Sequence, residues 1–301
     1  MDGIRRYTWI GVLAAMALGL TWELPGGLPH WVVQGLLMTL LLLSCLELRP
    51  MDLAREALNG WAANLMVLAV VFLAVPLLLL PLRRLLAPAT YAGLVLAGSM
   101  STGLGVIFLA GLLGGSRSRA LVLAVTASVL APVAVPSVMS AFASRSVEID
   151  FLAMSARTAF IVFVPLAAAL ALGRTAPGRW LSRHREAPSL AIFFTMIVVL
   201  VSTVRHIALL DPGRSLSLLA LACALSLVCA GLAILAGGNR RQRITFAIAA
   251  GYRNFTLSTV LALTLFDEEV ALPSVVYVLA GNLLVIGIQL LAPRRRGKGS
   301  A

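Results

Sequence analysis

The sequence predicts an all-α polytopic membrane protein that crosses the bilayer about ten times as two inverted five-helix repeats. Composition is the first reason. Of the 301 residues, 60% are hydrophobic and 12% are charged, with a mean hydropathy of +0.98, a balance that no water-soluble fold of this length can bury. Spacing is the second: charge-free runs long enough to span lipid recur from end to end, and no polar segment is long enough for a separate aqueous domain. The third is where the cations sit. The chain carries a net charge of +12, but its arginines fall in the gaps between apolar runs. That placement encodes topology and does not build a surface for nucleic acid.

The crossings follow in order. The first, residues 7–22, comes after Arg5 and Arg6 and reads as a retained helix, not a cleaved signal. The second, 31–48, ends in Glu47, Arg49 and Asp52, a solvated helix end. The third, 61–82, carries Pro76, and the fourth, 88–113, is interrupted by small and polar residues. The fifth, 118–143, contains Pro132 and Pro136; the sixth, 151–172, contains Pro165 and an early Arg157 expected to snorkel outward. The seventh and eighth are 188–206 and 215–236. The ninth, 243–266, is again interrupted, and the tenth, 271–292, opens with Pro273.

Prolines are tolerated in membrane helices where neighbours re-satisfy the freed backbone. Trp9, Trp22, Trp31, Trp61 and Trp180 fall near span ends, as interfacial anchors do. Cys45, Cys223 and Cys229 lie in apolar runs without metal-ligand spacing. His30 and His184 fall in loops and His206 ends a span; none has a partner that suggests catalysis, and no enzyme activity is expected.

With the N-terminus inside, Arg49, Arg55, Arg117, Arg119, the cluster 174–185, Arg240, Arg241, Arg243 and the basic C-terminus share the cytoplasmic side. Only Arg83, Arg84, Arg145, Arg205 and Arg214 fall outside. Both termini are therefore expected in the cytoplasm, and the protein in the plasma membrane, the inner membrane of a bacterium.

The two interruptions carry the functional information. Gly98-Ser99-Met100-Ser101-Thr102-Gly103-Leu104-Gly105 breaks the fourth crossing, and Ala250-Gly251-Tyr252-Arg253-Asn254 breaks the ninth at the same depth. Each is followed by a charged knot, Arg117 to Arg119 in one case and Asp267 to Glu269 in the other. Copies offset by an odd number of crossings are inserted with opposite orientation, and paired broken helices in inverted halves point to a transporter's substrate site.

Arg253 lies ten residues after Arg243 and fourteen before Asp267, near mid-bilayer. A cation there costs roughly 2.5–3.5 kcal/mol and faces a cavity, a partner or a substrate. Two roles stay open for it: clamping loose backbone carbonyls, or meeting an anionic substrate. Asn254 and Asn282 either brace helix contacts or hydrogen-bond a substrate.

These motifs resemble the bile acid:sodium symporter family, within the wider bile/arsenite/riboflavin transporter superfamily. Leu46-Glu47-Leu48-Arg49-Pro50-Met51-Asp52-Leu53 is similar to the family's L-x-L-x-P-x-D-L segment, and Thr126 to Pro132 to its S-T-L-L-A-P segment. Gly251-Tyr252-Arg253-Asn254 resembles its G-x-Q-N, and Ala271-Leu272-Pro273 through Asn282 its A-L-P through W-H-N. The resemblance implies a core subdomain, 61–143 and 215–292, with crossing helices 4 and 9, and a panel subdomain, 7–48 and 151–206. It implies a small organic anion held near the crossing, with the family's substrate-side amides carried over to Asn254 and Asn282; the interruptions add Ser101, Thr102, Gly103 and Arg253 to the expected site.

By register, the family's sodium ligands become Val106, Ile107, Ala120, Ala124, Val71, Ala249 and Arg253, and its helix-ten histidine becomes Gly281. A hard cation needs oxygen donors, so no metal or other cofactor is expected, sodium included. The expectation is a sodium-independent organic-anion transporter whose partners are the lipid bilayer and its substrate; a monomer is plausible, and the sequence leaves the oligomeric state open. Arsenite export would want a thiolate in the fourth crossing, which has no cysteine. A membrane sensor or scaffold would keep the fold without a wet crevice.

Overall fold

The computed structural model describes residues 8–22, 30–46, 56, 58, 60–103 and 105–291. Every regular element among them is helical. Helices α1 (Thr8–Thr21), α2 (His30–Cys45) and α3 (Trp61–Leu82) are followed by a broken pair, α4 (Pro88–Gly98) and α5 (Gly105–Leu112). Next come α6 (Arg117–Phe142), α7 (Phe151–Leu172), a short α8 (Ala176–His184), α9 (Glu186–Leu210) and α10 (Pro212–Ile234). A second broken pair, α11 (Arg240–Gly251) and α12 (Phe255–Leu265), leads to α13 (Glu268–Leu291). Among the described residues, six helices are long and apolar enough to cross a membrane: α3, α6, α7, α9, α10 and α13. The chain is a multi-pass membrane protein, and side chains such as Leu65, Leu77, Val133, Phe160 and Leu227 face outward, where only lipid tails suit them.

Both expected interruptions are present as breaks, one between Gly98 and Gly105 and one between Gly251 and Phe255. Four differences from the sequence reading have local causes. Asp211 and Asn239 accept hydrogen bonds from the Arg214 and Gln242 amides, starting α10 and α11 three residues early. Asp267 likewise accepts from Val270, so α13 begins at Glu268 and not at 271. Helix α9 runs on to Leu210, which puts His206 inside a helix and not at its end. The stretch containing Trp180 and His184 is not a loop but the amphipathic α8, capped by Thr175. The Glu47–Leu53 segment and both chain ends lie outside the described residues.

Helix α3 is irregular in its middle. Val70–Ala74 forms a π turn between α-helical stretches. Pro76 explains it: without an N–H it cannot bond the Phe72 carbonyl, and its ring pushes that turn outward. The widened turn leaves carbonyls aimed away from the ladder.

Close packing holds the two broken pairs to their neighbours. α4 lies against α13, where a Cβ on Gly93 would meet the Val270 carbonyl and the Pro273 ring. A Cβ on Gly98 would strike Val75 of α3, and one on Gly251 would strike Leu284 of α13. Small residues at such crossings let backbones approach, which is how membrane helices gain packing without a hydrophobic drive between them.

Candidate functional site

The two breaks meet. Thr102 and Arg253 form an antiparallel bridge in which the Asn254 amide donates to the Ser101 carbonyl at 2.8 Å and the Gly103 amide to the Tyr252 carbonyl at 3.3 Å. The Thr102 hydroxyl donates to the Ala249 carbonyl at 2.8 Å. Extended backbone at this depth is possible because each break satisfies the other. Gly103 is required there: a Cβ would lie 3.0 Å from the Arg253 carbonyl.

Two helix N-termini, those of α5 and α12, therefore converge on one point, each with the partial positive charge of its free amides. Asn254 caps α12 by accepting from the Leu257 amide at 3.2 Å, and its side-chain NH2 has no partner among the described residues. The buried Ser101 hydroxyl also finds none among them.

Arg253 is 4% exposed, and its guanidinium turns away from the bridge toward α3. One terminal nitrogen donates to the Val71 carbonyl at 2.6 Å; the other lies 3.4 Å from the Val70 carbonyl and 3.5 Å from Cys229 Sγ of α10. The π turn made by Pro76 is thus the receptor for the arginine. Val70 and Val71 lie in that turn, and a planar fork is the group that can reach two carbonyls at once. Of the two roles open for Arg253, the geometry supplies the carbonyl clamp. The carbonyls belong to α3, however, and not to the broken helices themselves.

The positions that resemble sodium-ligand sites are now concrete. Val106, Ala120, Ala124, Val71 and Ala249 are buried and apolar, and Ile107 is half-buried. Val71 and Ala249 contribute carbonyls, one to Arg253 and one to Thr102.

Sequence reasoning missed Tyr252. Its ring fits a cradle of Gly103, Gly105 and Gly281, with a Cβ on Gly281 only 3.0 Å from the ring. Gly281 is followed by Asn282, whose side-chain NH2 donates to the Val278 carbonyl of the same helix at 2.7 Å. Asn282 is therefore joined to the crossing through the packing of its neighbour Gly281 on the Tyr252 ring. The signal was available in the three glycines, which are scattered in sequence and converge only in space. Phe255 meets the Tyr252 ring edge-on at 6.1 Å and also approaches Phe193 of α9 at 6.1 Å, so an aromatic run leads from the crossing to α9.

At the end where α12 finishes, α7 and α9 tie to it and to α13. Arg157 does not simply snorkel: it donates to the Thr264 carbonyl at 3.3 Å. His206 stands 3.1 Å from Glu268. On the other side of the crossing, α5 packs mainly on α6 and α11, and Gly105 at its start is exposed. The Arg157 and His206 contacts thus tie the helices together at the end where α12 finishes.

No cluster of three metal-ligating side chains occurs among the described residues, and no curated protein matches the chain. A family profile, the SBF-like CPA transporter family, matches residues 9–296. A match over nearly the whole length, on a helical membrane protein built around two crossed breaks, leads to one conclusion: this chain belongs to the SBF-like CPA transporter family.

Proposed function

We propose that the protein is a secondary transporter of small organic anions that works by alternating access without sodium. In this reading the chain makes ten crossings in two inverted halves. The helices around the breaks form a core, and α1, α2, α7 and α9 form a panel against which the core moves.

The observation that carries it is Arg253. A permanent cation is buried at the crossing, bonded among the described residues only to carbonyl oxygens and a sulfur, so its charge is left for an anion to balance. The α5 and α12 N-termini add positive potential at the same point. Ser101 and the Asn254 amide supply the donors, while Thr102 and Gly103 shape the bridge and Asn282 lies beside the Gly281 that seats Tyr252. Arg253 holds by its guanidinium fork the helices that an ion would otherwise bridge, and a second cation beside its charge would be repelled.

Access alternates when the end held by Arg157 and His206 opens. The Arg157–Thr264 and His206–Glu268 contacts join panel to core there, and breaking them while the opposite end closes would move the site from one side to the other. Proton coupling, exchange and facilitated passage all fit this cycle.

The test is uptake of a panel of small carboxylates into proteoliposomes with choline replacing sodium on both sides. Uptake that persists supports the proposal; uptake that vanishes without sodium refutes it.

A further inference from the structure

Helix α8 belongs to no crossing and has no role in the cycle above. Residues 174–185 contain Arg174, Arg179, Arg183 and Arg185 and not one acidic residue. The helix is a built element. Thr175 caps it by accepting from the Gly178 amide at 3.1 Å, and a Cβ on Gly178 would land on the Leu172 carbonyl, so α8 folds tightly across the end of α7. Leu181 packs into a small apolar cluster with Leu43, Cys45, Leu46 and Ala169.

The opposite face is turned outward. Arg179 and Arg183 are exposed one helical turn apart, and Trp180 is 63% exposed. The Trp180 ring lies 4.7 Å from that of His184, whose Nδ1 is 2.9 Å from the Trp180 carbonyl. An indole ledge is thereby held beside a two-arginine stripe. Arg179 spends one donor on the Arg174 carbonyl at 2.9 Å, which orients its guanidinium and leaves its other donors outward.

We infer that this face of α8 is a docking surface for an anionic phospholipid, with the phosphate between Arg179 and Arg183 and the glycerol region against Trp180. Depth and charge choose this partner. The helix begins where α7 leaves the apolar layer, the level that indoles prefer. Its exposed charges are all of one sign, and basic amphipathic helices at that level bind anionic lipid through buried apolar area together with charge. The inference rests on the membrane location alone and stands apart from the transport proposal.

The experiment replaces Trp9, Trp22, Trp31 and Trp61 with Phe, leaving Trp180 as the only indole of the full chain. The protein is reconstituted in phosphatidylcholine with increasing brominated phosphatidylglycerol or brominated phosphatidylcholine. Brominated phosphatidylglycerol is expected to quench Trp180 at a severalfold lower mole fraction. R179Q/R183Q is expected to remove that preference, at about fivefold in relative affinity per arginine, and R83Q/R84Q at the opposite end to leave it intact. Native mass spectrometry of the protein with all its tryptophans gives a second reading: retained phosphatidylglycerol adducts that R179Q/R183Q loses. Equal quenching by the two lipids, or a preference that survives R179Q/R183Q, overturns the inference.

Discussion

Replacing Arg253 with Lys should damage this protein more than replacing it with Met. The Arg253 fork makes one short, charge-assisted bond to the Val71 carbonyl and reaches Val70 and Cys229 at longer range. Lysine keeps the charge but has a shorter stem and no fork, so it cannot span these groups. The variant loses a charge-assisted bond of roughly 1.5–3 kcal/mol and leaves a buried carbonyl unpaired, at roughly 1–3 kcal/mol. The cost of burying a cation stays, so the net loss is about 4 kcal/mol. Methionine loses the same bond and orphans the same carbonyl, but it also removes a mid-membrane charge that costs roughly 2.5–3.5 kcal/mol. Its net loss is about 1 kcal/mol. Unfolding of purified protein by titrated dodecyl sulfate, followed by circular dichroism, measures the gap of about 3 kcal/mol. An Arg253→Lys protein as stable as wild type, beside an Arg253→Met protein that collapses, would show that charge and not fork geometry holds the site together.

Four further outcomes are expected. Exchanging sodium for choline should leave the melting temperature of the purified protein unchanged, because the positions that resemble sodium ligands are Val71, Val106, Ile107, Ala120, Ala124, Ala249 and Arg253; a clear rise with sodium in fluorimetry would contradict this. Pro76→Ala should fail to stabilise α3, although removing a mid-helix proline ordinarily gains about 3 kcal/mol. The restored N–H would draw the π turn back into the ladder and away from Arg253, and a gain in stability would disprove the coupling. Gly93→Ala should cost about 1–3 kcal/mol by overpacking α4 on α13, read from the same unfolding curves. Glu268→Gln should shift the balance toward the state open at that end by about two- to fivefold, the worth of an exposed contact between a carboxylate and His206. Faster thiol labelling of a Cys placed at Phe266 reports the shift, and an unchanged rate argues against a latch.

The sequence by itself determined a great deal here. A lipid solvent leaves a coarse signature, because an unpaired backbone group or an exposed charge is costly there; apolar runs, arginine placement and the two glycine-rich interruptions were therefore legible without coordinates. Ser101, Thr102, Gly103, Arg253 and Asn254 were found on the same grounds, and they meet at the bridge. What the sequence did not contain was the partner of each group. Arg253 bonds Val71, whose side chain says nothing of its carbonyl, and that carbonyl is free only because Pro76 lies five residues further on. Tyr252 depends on glycines from two distant segments, and Arg157 on the last turn of α12. Backbone carbonyls and cradles made by absent side chains carry no residue-type signature, so only tertiary structure could decide what the cation at mid-membrane holds on to.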